Sequence, residues 1–311
     1  MNAPTPLPLP QRMDILEALR TRPKPPNFVL PGLPTGAVGS LIAPGATGKT
    51  LFLLQVCISL ATGTPILGGG LFADEDEAPQ SPCRVVLVVA EETFSVMHAR
   101  LHATFAELMT RVQPDLLNQA GIALPSLLAE NLLLFPLAGR ARMLVDGSDT
   151  ETHGMAALSE MSAGARLVVL DPLRRFHSGE ENDPWTMTRL VQDLEMLACR
   201  NDGAVLLAHH ANKWSTVSGQ GDRAGAARGS AAFTDAVRWQ MNLSALDDDL
   251  ARKHGIADEH MRFHIRADLA KANYMPPQEP TLLRRGPGGA FSVLASPKQR
   301  LPTPPTRKAR K

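Results

Sequence analysis

This sequence of 311 residues has few cysteines and almost no net charge. The three cysteines, Cys57, Cys83 and Cys199, lie far apart and form no CxxC pair. This spacing argues against a zinc site or a disulfide framework, and it fits the reduced thiols of a cytoplasmic protein. The net charge is only +1. Any contact with nucleic acid must therefore be local, because the chain as a whole is no polycation.

Long hydrophobic runs are lacking as well. The longest, such as Val85–Ala90, are far too short to cross a bilayer. The proline-rich start of the chain has no basic region followed by an apolar stretch, which a signal peptide needs. The sequence thus predicts a soluble, cytoplasmic protein without membrane contacts. Its hydrophobic content of 44% allows a sizeable core, in one large α/β domain or two small ones.

Composition divides the chain into three segments. We expect residues 1–26 to form a Pro-rich arm with a short helix at about 12–21, residues 27–295 to form the globular domain, and residues 296–311 to form a disordered basic tail. The composition of this tail favours a solvated segment over one that contacts nucleic acid. The helix has apolar side chains at Ile15, Leu16 and Leu19. It either packs on its own domain or docks on a neighbouring subunit.

Short apolar runs that alternate with helical stretches predict an α/β fold. Fully apolar runs indicate parallel strands that are buried on both faces, at Val38–Ile42, Arg84–Val89, Leu167–Leu170 and Ala204–Ala208, with another at Leu132–Leu134. Helices are predicted between them, at Thr50–Ala61, Thr93–Thr110 and Pro184–Arg200. Strands with little helix between them follow at Arg238–Ser244, Met261–Leu269, Thr281–Arg285 and Ala290–Leu294. We therefore expect a mostly parallel central sheet with helices on both faces and an antiparallel C-terminal extension.

The segment Ala43–Thr50 has the pattern of a phosphate-binding P-loop. It follows a predicted strand and opens a predicted helix, and this context disfavours a chance Gly-Lys-Thr in a loop. Its glycines allow backbone amides to turn toward phosphate oxygens. Lys49 would place its charge on the β- and γ-phosphates of a nucleotide, and Thr50 would bind magnesium. The predicted nucleotide-binding residues are Pro44, Gly45, Ala46, Thr47, Gly48, Lys49 and Thr50. The pattern asks for glycine at position 43, where this chain has alanine.

Two acidic positions follow predicted strands. Asp171 ends the segment that runs from Arg166 through a predicted apolar strand. In P-loop proteins, an aspartate at the end of such a strand holds the magnesium ion. A helix cap is the alternative for Asp171. Glu91 and Glu92 follow the strand that ends at Val89, and either carboxylate could orient and deprotonate the attacking water. Glu91 is the first choice; Glu92 is the reserve, and it could simply favour the start of the next helix.

His209 and His210 end the next strand, where a polar residue can sense the γ-phosphate of a bound nucleotide. Adjacent residues on a strand point to opposite faces, so at most one of the two faces the nucleotide. The polar segment 211–227 comes next. Its candidates for DNA contacts are Lys213, Trp214 and Arg223, with charges for phosphates and an indole for base stacking. An ordinary surface loop is the alternative.

A cation that acts on the γ-phosphate of a neighbouring subunit has three candidates. Arg228 follows the polar segment, and an arginine there can neutralise the transition-state charge in trans. A salt bridge that holds the base of the segment is the other role for Arg228. Arg238 and Lys271 are the further candidates, and the sequence does not separate the three.

Together these motifs resemble the RepA-type hexameric replicative DNA helicases of broad-host-range plasmids. The resemblance runs from about Asp14 to Leu294 and includes two distinctive segments, Asp171–His177 and Lys271–Tyr274. It implies a RecA/DnaB-like P-loop ATPase that forms a ring of six, hydrolyses ATP with Mg²⁺, and moves 5′ to 3′ on single-stranded DNA.

The resemblance also assigns roles to residues of this sequence. It implies Lys49 and Thr50 for nucleotide and magnesium, Glu91 as the catalytic base, Asp171 on the magnesium side, His209 or His210 as the link to DNA, and Arg228 as the finger. The short N-terminal helix would link neighbouring subunits. Glu92 and Pro172 depart from the family pattern, which often has Asp and Thr there. The 68–82 segment and the basic tail are additions that put the partner surface in doubt.

Three functions fit this pattern. The leading hypothesis is a replicative helicase of a plasmid or mobile element, with the origin-binding and priming steps left to separate initiator and primase proteins. The second is a RecA-like recombinase or a regulatory ATPase that hydrolyses ATP without unwinding. The third is an assembly scaffold that only binds nucleotide, and Glu91 argues against it, because a binding protein has no use for a water-activating base.

Overall fold

The computed structural model describes residues 12–65, 67, 71, 81–110, 124–140, 153–179, 183–210, 231–286 and 288–294. The start of the predicted arm, the basic tail, the polar segment and most of the 68–82 segment lie outside these residues. Within the described part, no helix has the length and apolar character needed to span a membrane.

One nine-stranded sheet forms the centre of the described structure. The strands are β1 (Phe28–Leu30), β2 (Leu33–Pro34), β3 (Val38–Ala43), β4 (Val85–Val89), β5 (Leu132–Pro136), β6 (Leu167–Asp171), β7 (Ala204–His210), β8 (Trp239–Ala245), β9 (His264–Ala272), β10 (Thr281–Arg285) and β11 (Phe291–Val293). Their order in the sheet is β11-β10-β9-β8-β3-β7-β6-β4-β5, while β1 and β2 pair separately. Strands β8 to β5 run parallel and β9 to β11 run antiparallel.

Helices cover both faces of this sheet. They are α1 (Ile15–Arg20), α2 (Lys49–Thr62), α3 (Phe94–Met109), α4 (Leu124–Asn131), α5 (His153–Met161), α6 (Pro184–Arg200), α7 (Ala231–Ala236), α8 (Asp248–Lys253) and α9 (Asp258–Met261). One core packs α2 and α3 against Leu41 and Leu206. The other packs α5, α6 and α7 against Ile42 and Leu207. Successive strand residues thus enter opposite cores, which is why the central strands are apolar throughout.

The fold class predicted from the sequence is confirmed, with two corrections in the C-terminal half. The strand expected in the antiparallel extension at Arg238–Ser244 is β8, which pairs parallel with β3, so the extension begins only at β9. The strand expected from Met261 begins at His264 instead. Its expected first residue ends α9, and α8 and α9 both lie where little helix was predicted.

Helix α1 leaves its apolar side chains exposed. Asp14 caps the helix and accepts a hydrogen bond from the Glu17 amide at 3.1 Å. None of its residues is buried, and Ile15, Leu16 and Leu19 are 58%, 65% and 80% exposed. Its apolar side therefore does not enter the described core.

Asp183 caps α6, and its ionised form is stabilised there. The carboxylate accepts hydrogen bonds from the Thr186 hydroxyl, the Thr186 amide and the Trp185 amide. The Thr186 hydroxyl first, then the backbone amides, lower the pKa of Asp183 below its ordinary value. Since the folded-state pKa is the lower one, this contribution to stability is present above the ordinary pKa and is lost as the pH falls through the folded-state value.

We expect Asp183→Ala to lower the melting temperature by a few degrees at neutral pH, with a difference from wild type that shrinks once the pH falls below the ordinary aspartate pKa of 3.8. Asp183→Asn is the matched variant, because asparagine also caps helices but does not titrate. It should keep most of the stability at neutral pH. Thermal melts of the three proteins from about pH 7.5 down to about pH 2.5 check this, because this range passes through the folded-state pKa. A difference between wild type and Asp183→Ala that stays constant with pH would contradict the role of the charge.

Candidate nucleotide-binding and catalytic site

The candidate site lies at the carboxyl edge of the parallel strands. Because β3, β7, β6 and β4 are neighbours, the loops that follow them meet at one edge of the sheet. A pocket of about 320 Å³ opens there. It is lined by Pro44, Gly45, Ala46, Gly48, Lys49, Thr50, Leu51, Val89, Glu91, Glu92, Arg100, Asp171, Pro172, His210 and Arg285.

The P-loop turns tightly between β3 and α2. Gly48 has φ +94°, a left-handed conformation that favours glycine, and Ala46 also has positive φ at 64°. The Thr47 hydroxyl donates to the Pro44 carbonyl at 2.9 Å. Helix α2 begins at Lys49 with no side-chain cap. Its first amides and its positive end are therefore available to an anion in the pocket.

Lys49, Thr50 and Asp171 form a cluster beside the P-loop in which Lys49 and Asp171 are buried. Thr50 Oγ1 donates to Asp171 Oδ2 at 2.6 Å, and Lys49 Nζ lies 3.5 Å from Asp171 Oδ1. Asp171 is 2% exposed and Lys49 is 8% exposed. Among the described residues, the Lys49 ammonium makes no hydrogen bond. A buried cation that lacks an acceptor fits a phosphate ligand, because phosphate supplies both the charge and the oxygen acceptors.

The hydroxyl of Thr50 and the carboxylate of Asp171 are hard oxygen donors that suit Mg²⁺. Magnesium sites use one or two such protein groups together with water and substrate phosphates. The described residues hold no cluster of three or more His, Cys, Asp or Glu side chains that could bind a metal by themselves. The donor set thus fits an ion that binds along with a nucleotide.

Glu91 and Glu92 both line the pocket, and each is paired with an arginine. Glu91 Oε1 lies 2.9 Å from Arg175 Nε, and both side chains are about half exposed. Glu92 Oε1 lies 2.6 Å from Arg100 Nη1. The cap of α3 is Thr93, which accepts from the Val96 amide at 3.4 Å, so neither glutamate starts that helix. Glu91 reaches solvent in the pocket more freely than Glu92 does.

The two histidines that end β7 separate as adjacent strand residues must. His210 lines the pocket. His209 is buried, with its ring 5.4 Å from the ring of Phe233 in an edge-on contact. The structure therefore places His210 at the pocket and His209 in the core with α7.

Of the remaining predicted residues, Arg238 and Lys271 do not line the pocket. Lys213, Trp214, Arg223 and Arg228 lie outside the described residues. Arg238 precedes β8 and is level with Val38, at the end of the sheet away from the P-loop. Lys271 Nζ donates to the Thr234 carbonyl at 2.8 Å, at the end of α7. Burial lowers the pKa of Lys271, and Asp235 partly opposes this.

Sequence reasoning missed three arginines near the site. Arg100 and Arg175 bind the two glutamates, and Arg285 lines the pocket from β10. Arg175 had a usable signal, because it stands only four residues after Asp171 on the same loop. Arg285 had none, since it reaches the P-loop from a distant hairpin.

The comparisons with known proteins agree with this fold. One solved structure, described as an ATPase domain, has a TM-score of 0.57 at 16% identity, over 90% of this chain and 96% of its own. A DnaB-like replicative helicase, described with its interactions with primase, has a TM-score of 0.56 at 15% identity, over 84% of this chain and 58% of its own. This chain thus spans less than two thirds of that helicase. At these identities the likeness shows the fold alone, a mostly parallel α/β sheet that this chain shares with both proteins.

A family model described as AAA domain matches residues 3–215. The matched range contains the P-loop, both glutamates, Asp171 and both histidines. The chain belongs to this AAA domain family, AAA_25.

Proposed function

We propose that the protein is an ATP-dependent replicative DNA helicase that forms a ring and moves 5′ to 3′ on single-stranded DNA. The observation that carries the proposal is the meeting of Lys49, Thr50, Asp171 and Glu91 around one pocket. The likeness of the fold to a solved ATPase domain and to a DnaB-like replicative helicase supports it, as does the resemblance of the motifs to the RepA-type helicases. A plasmid or another mobile element is the replicon that this resemblance favours.

The pocket is suited to hydrolysis of the γ-phosphate. Glu91 accepts a proton from water as the water oxygen attacks the γ-phosphorus, and the bond from phosphorus to the β–γ bridging oxygen breaks. Lys49 and the P-loop amides stabilise the charge that develops on the leaving diphosphate. Mg²⁺ held by Thr50 and Asp171 would neutralise charge on the phosphate oxygens. His210 lines the same pocket, so loss of the γ-phosphate would change its surroundings.

A coupling route to DNA follows from the position of His210. The polar segment that holds Lys213, Trp214 and Arg223 begins directly after His210, which lines the pocket. A change at the pocket therefore acts on the first residue before this segment. In a ring, several copies of the segment would face one channel and create a basic lining, although each chain has a net charge of only +1.

The exposed apolar side of α1 supports assembly into a ring. Ile15, Leu16 and Leu19 do not enter the described core, and a neighbouring subunit would cover them. If the contact is head-to-tail and its rotation closes, it generates a cyclic oligomer. The ring would bring Arg228, Arg238 or Lys271 to a neighbour's γ-phosphate. Neither Arg238 nor Lys271 lines the pocket of its own chain, which favours a role in trans for them.

Unwinding is tested with two forked duplexes, one with a 5′ and one with a 3′ single-stranded tail for loading. With ATP and magnesium we expect strand separation only from the 5′ tail, and none without ATP. Equal unwinding from both tails would contradict the polarity. If the protein hydrolyses ATP but unwinds neither fork, the helicase hypothesis is wrong, and a recombinase or regulatory ATPase becomes the better interpretation. Sedimentation with a non-hydrolysable ATP analogue measures the size of the ring.

A further inference from the structure

The hairpin of β10 and β11 is bound tightly to the P-loop helix. Gln55 on α2 donates to the Phe291 carbonyl at 2.9 Å, and the Phe291 amide donates to Gln55 Oε1 at 2.6 Å. Gln55 and Phe291 are both fully buried. Phe52 adds an edge-on ring contact to Phe291 at 6.5 Å. Helix α2 and this hairpin therefore form one packed unit, although their sequences lie 236 residues apart.

Arg285 reaches from the hairpin to the backbone of the P-loop. It pairs with Phe291 across β10 and β11, and its guanidinium lies 5.4 Å from the centre of the Phe291 ring. Its Nη2 donates to the Thr47 carbonyl, and it lies 3.4 Å from the Ala46 carbonyl. The contact is close, since a Cβ atom on Gly48 would stand 2.8 Å from Nη2.

These two contacts fix the direction of the P-loop amides. In a planar trans peptide, the C=O of one residue and the N–H of the next point in opposite directions. When the carbonyls of Ala46 and Thr47 turn toward Arg285, the amides of Thr47 and Gly48 turn away from it. Amides held in this way are the donors by which a P-loop binds phosphate.

We propose that Arg285 is a positioning residue that sets the affinity of the P-loop for the phosphate chain of a nucleotide. The inference rests on the proposed function, because it concerns the same pocket. Arg285 acts through the backbone of Ala46 and Thr47, and it takes no part in activating water. Its loss weakens binding of any ligand that carries the phosphate chain, and the rate of the bound complex changes little.

Three full-length variants test the role. Arg285→Met removes the guanidinium and keeps the length of the stem. Arg285→Lys keeps the charge, but its single ammonium cannot reproduce the planar donor group. Arg284→Met is the matched control, because the exposed Arg284 is the neighbouring residue on β10 and points to the other face of the sheet. The affinity is measured by displacement of fluorescent mant-ATP with ATP and, separately, with tripolyphosphate.

We expect Arg285→Met to weaken the binding of ATP and of tripolyphosphate by the same factor, about tenfold, or about 1.4 kcal/mol. The KM for ATP should rise by that factor while kcat stays within about twofold. Arg285→Lys should recover part of the affinity, and Arg284→Met should bind like wild type. The melting temperature of Arg285→Met should stay near that of wild type, because Gln55 still holds the hairpin. If it falls, the affinities of Arg285→Lys are compared with those of wild type instead.

Two results overturn the role of Arg285 and leave the proposed ATPase intact. One is equal affinity of Arg285→Met and wild type for both ligands. The other is weaker binding of ATP with unchanged binding of tripolyphosphate, which would mean that Arg285 contacts the nucleoside and not the P-loop. A wild-type protein that binds neither ligand would instead refute the proposed function itself, and the inference with it.

Discussion

Replacement of Lys49 by alanine is expected to reduce ATP hydrolysis by at least about a hundredfold, since removal of one preorganised donor to a reacting group has effects of this size. Lys49 is buried in the pocket and makes no hydrogen bond among the described residues, so phosphate oxygens are the acceptors that its ammonium fits. Nucleotide binding should weaken as well, because Lys49 supplies charge in the ground state and in the transition state. Phosphate release and mant-ATP binding measure the two effects.

A second effect of this variant arises from Asp171. That carboxylate is 2% exposed, and it loses its nearby cation when Lys49 is removed. A melting curve therefore accompanies the assay, so that loss of activity is not confused with loss of the fold. Lys253→Ala, at an exposed lysine on α8, is the matched control and should hydrolyse ATP like wild type. A rate of ATP hydrolysis by Lys49→Ala within a few fold of the wild-type rate would contradict the assignment of this loop as the nucleotide site.

The parallel part of the fold was predictable because its signals are local. Runs such as Leu167–Leu170 are apolar throughout, and only strands buried on both faces need that pattern. The pairing of β8 was not predictable in the same way. Its sequence suits either direction, and the direction is set by contact with β3, where Gly39 lies opposite Trp239. Strand partners of this kind are decided by tertiary packing.

The same distinction applies to the candidate site. Glu91 and Asp171 each follow an apolar strand, and the sheet order brings those strand ends together. Arg285 could not be found in this way, because a single arginine at the end of a strand carries no pattern. Its position beside Thr47 depends on the packing of the C-terminal hairpin on α2. The roles of Lys213, Trp214, Arg223 and Arg228 stay predictions from the sequence.

Glu91→Gln is expected to lower kcat for ATP hydrolysis by about 10²–10⁴-fold, the range for loss of a general base, with nucleotide affinity nearly unchanged. Glutamine keeps the size of the side chain and its oxygen, but it cannot take a proton from water. The affinity should persist because the phosphate-binding groups, Lys49 and the P-loop amides, are untouched. Steady-state hydrolysis and mant-ATP binding give kcat and affinity separately.

Glu92→Gln decides between the two glutamates of the pocket. Glu92 is less exposed than Glu91 and is held at 2.6 Å by Arg100, so we expect its loss to reduce kcat far less than the loss of Glu91. Glu160→Gln, at an exposed glutamate on α5, controls for the substitution itself. A larger loss in Glu92→Gln than in Glu91→Gln would exchange their roles and make Arg100 the partner of the base. Equal large losses would mean that the two carboxylates act on the same water, because effects of residues that work as a unit do not add.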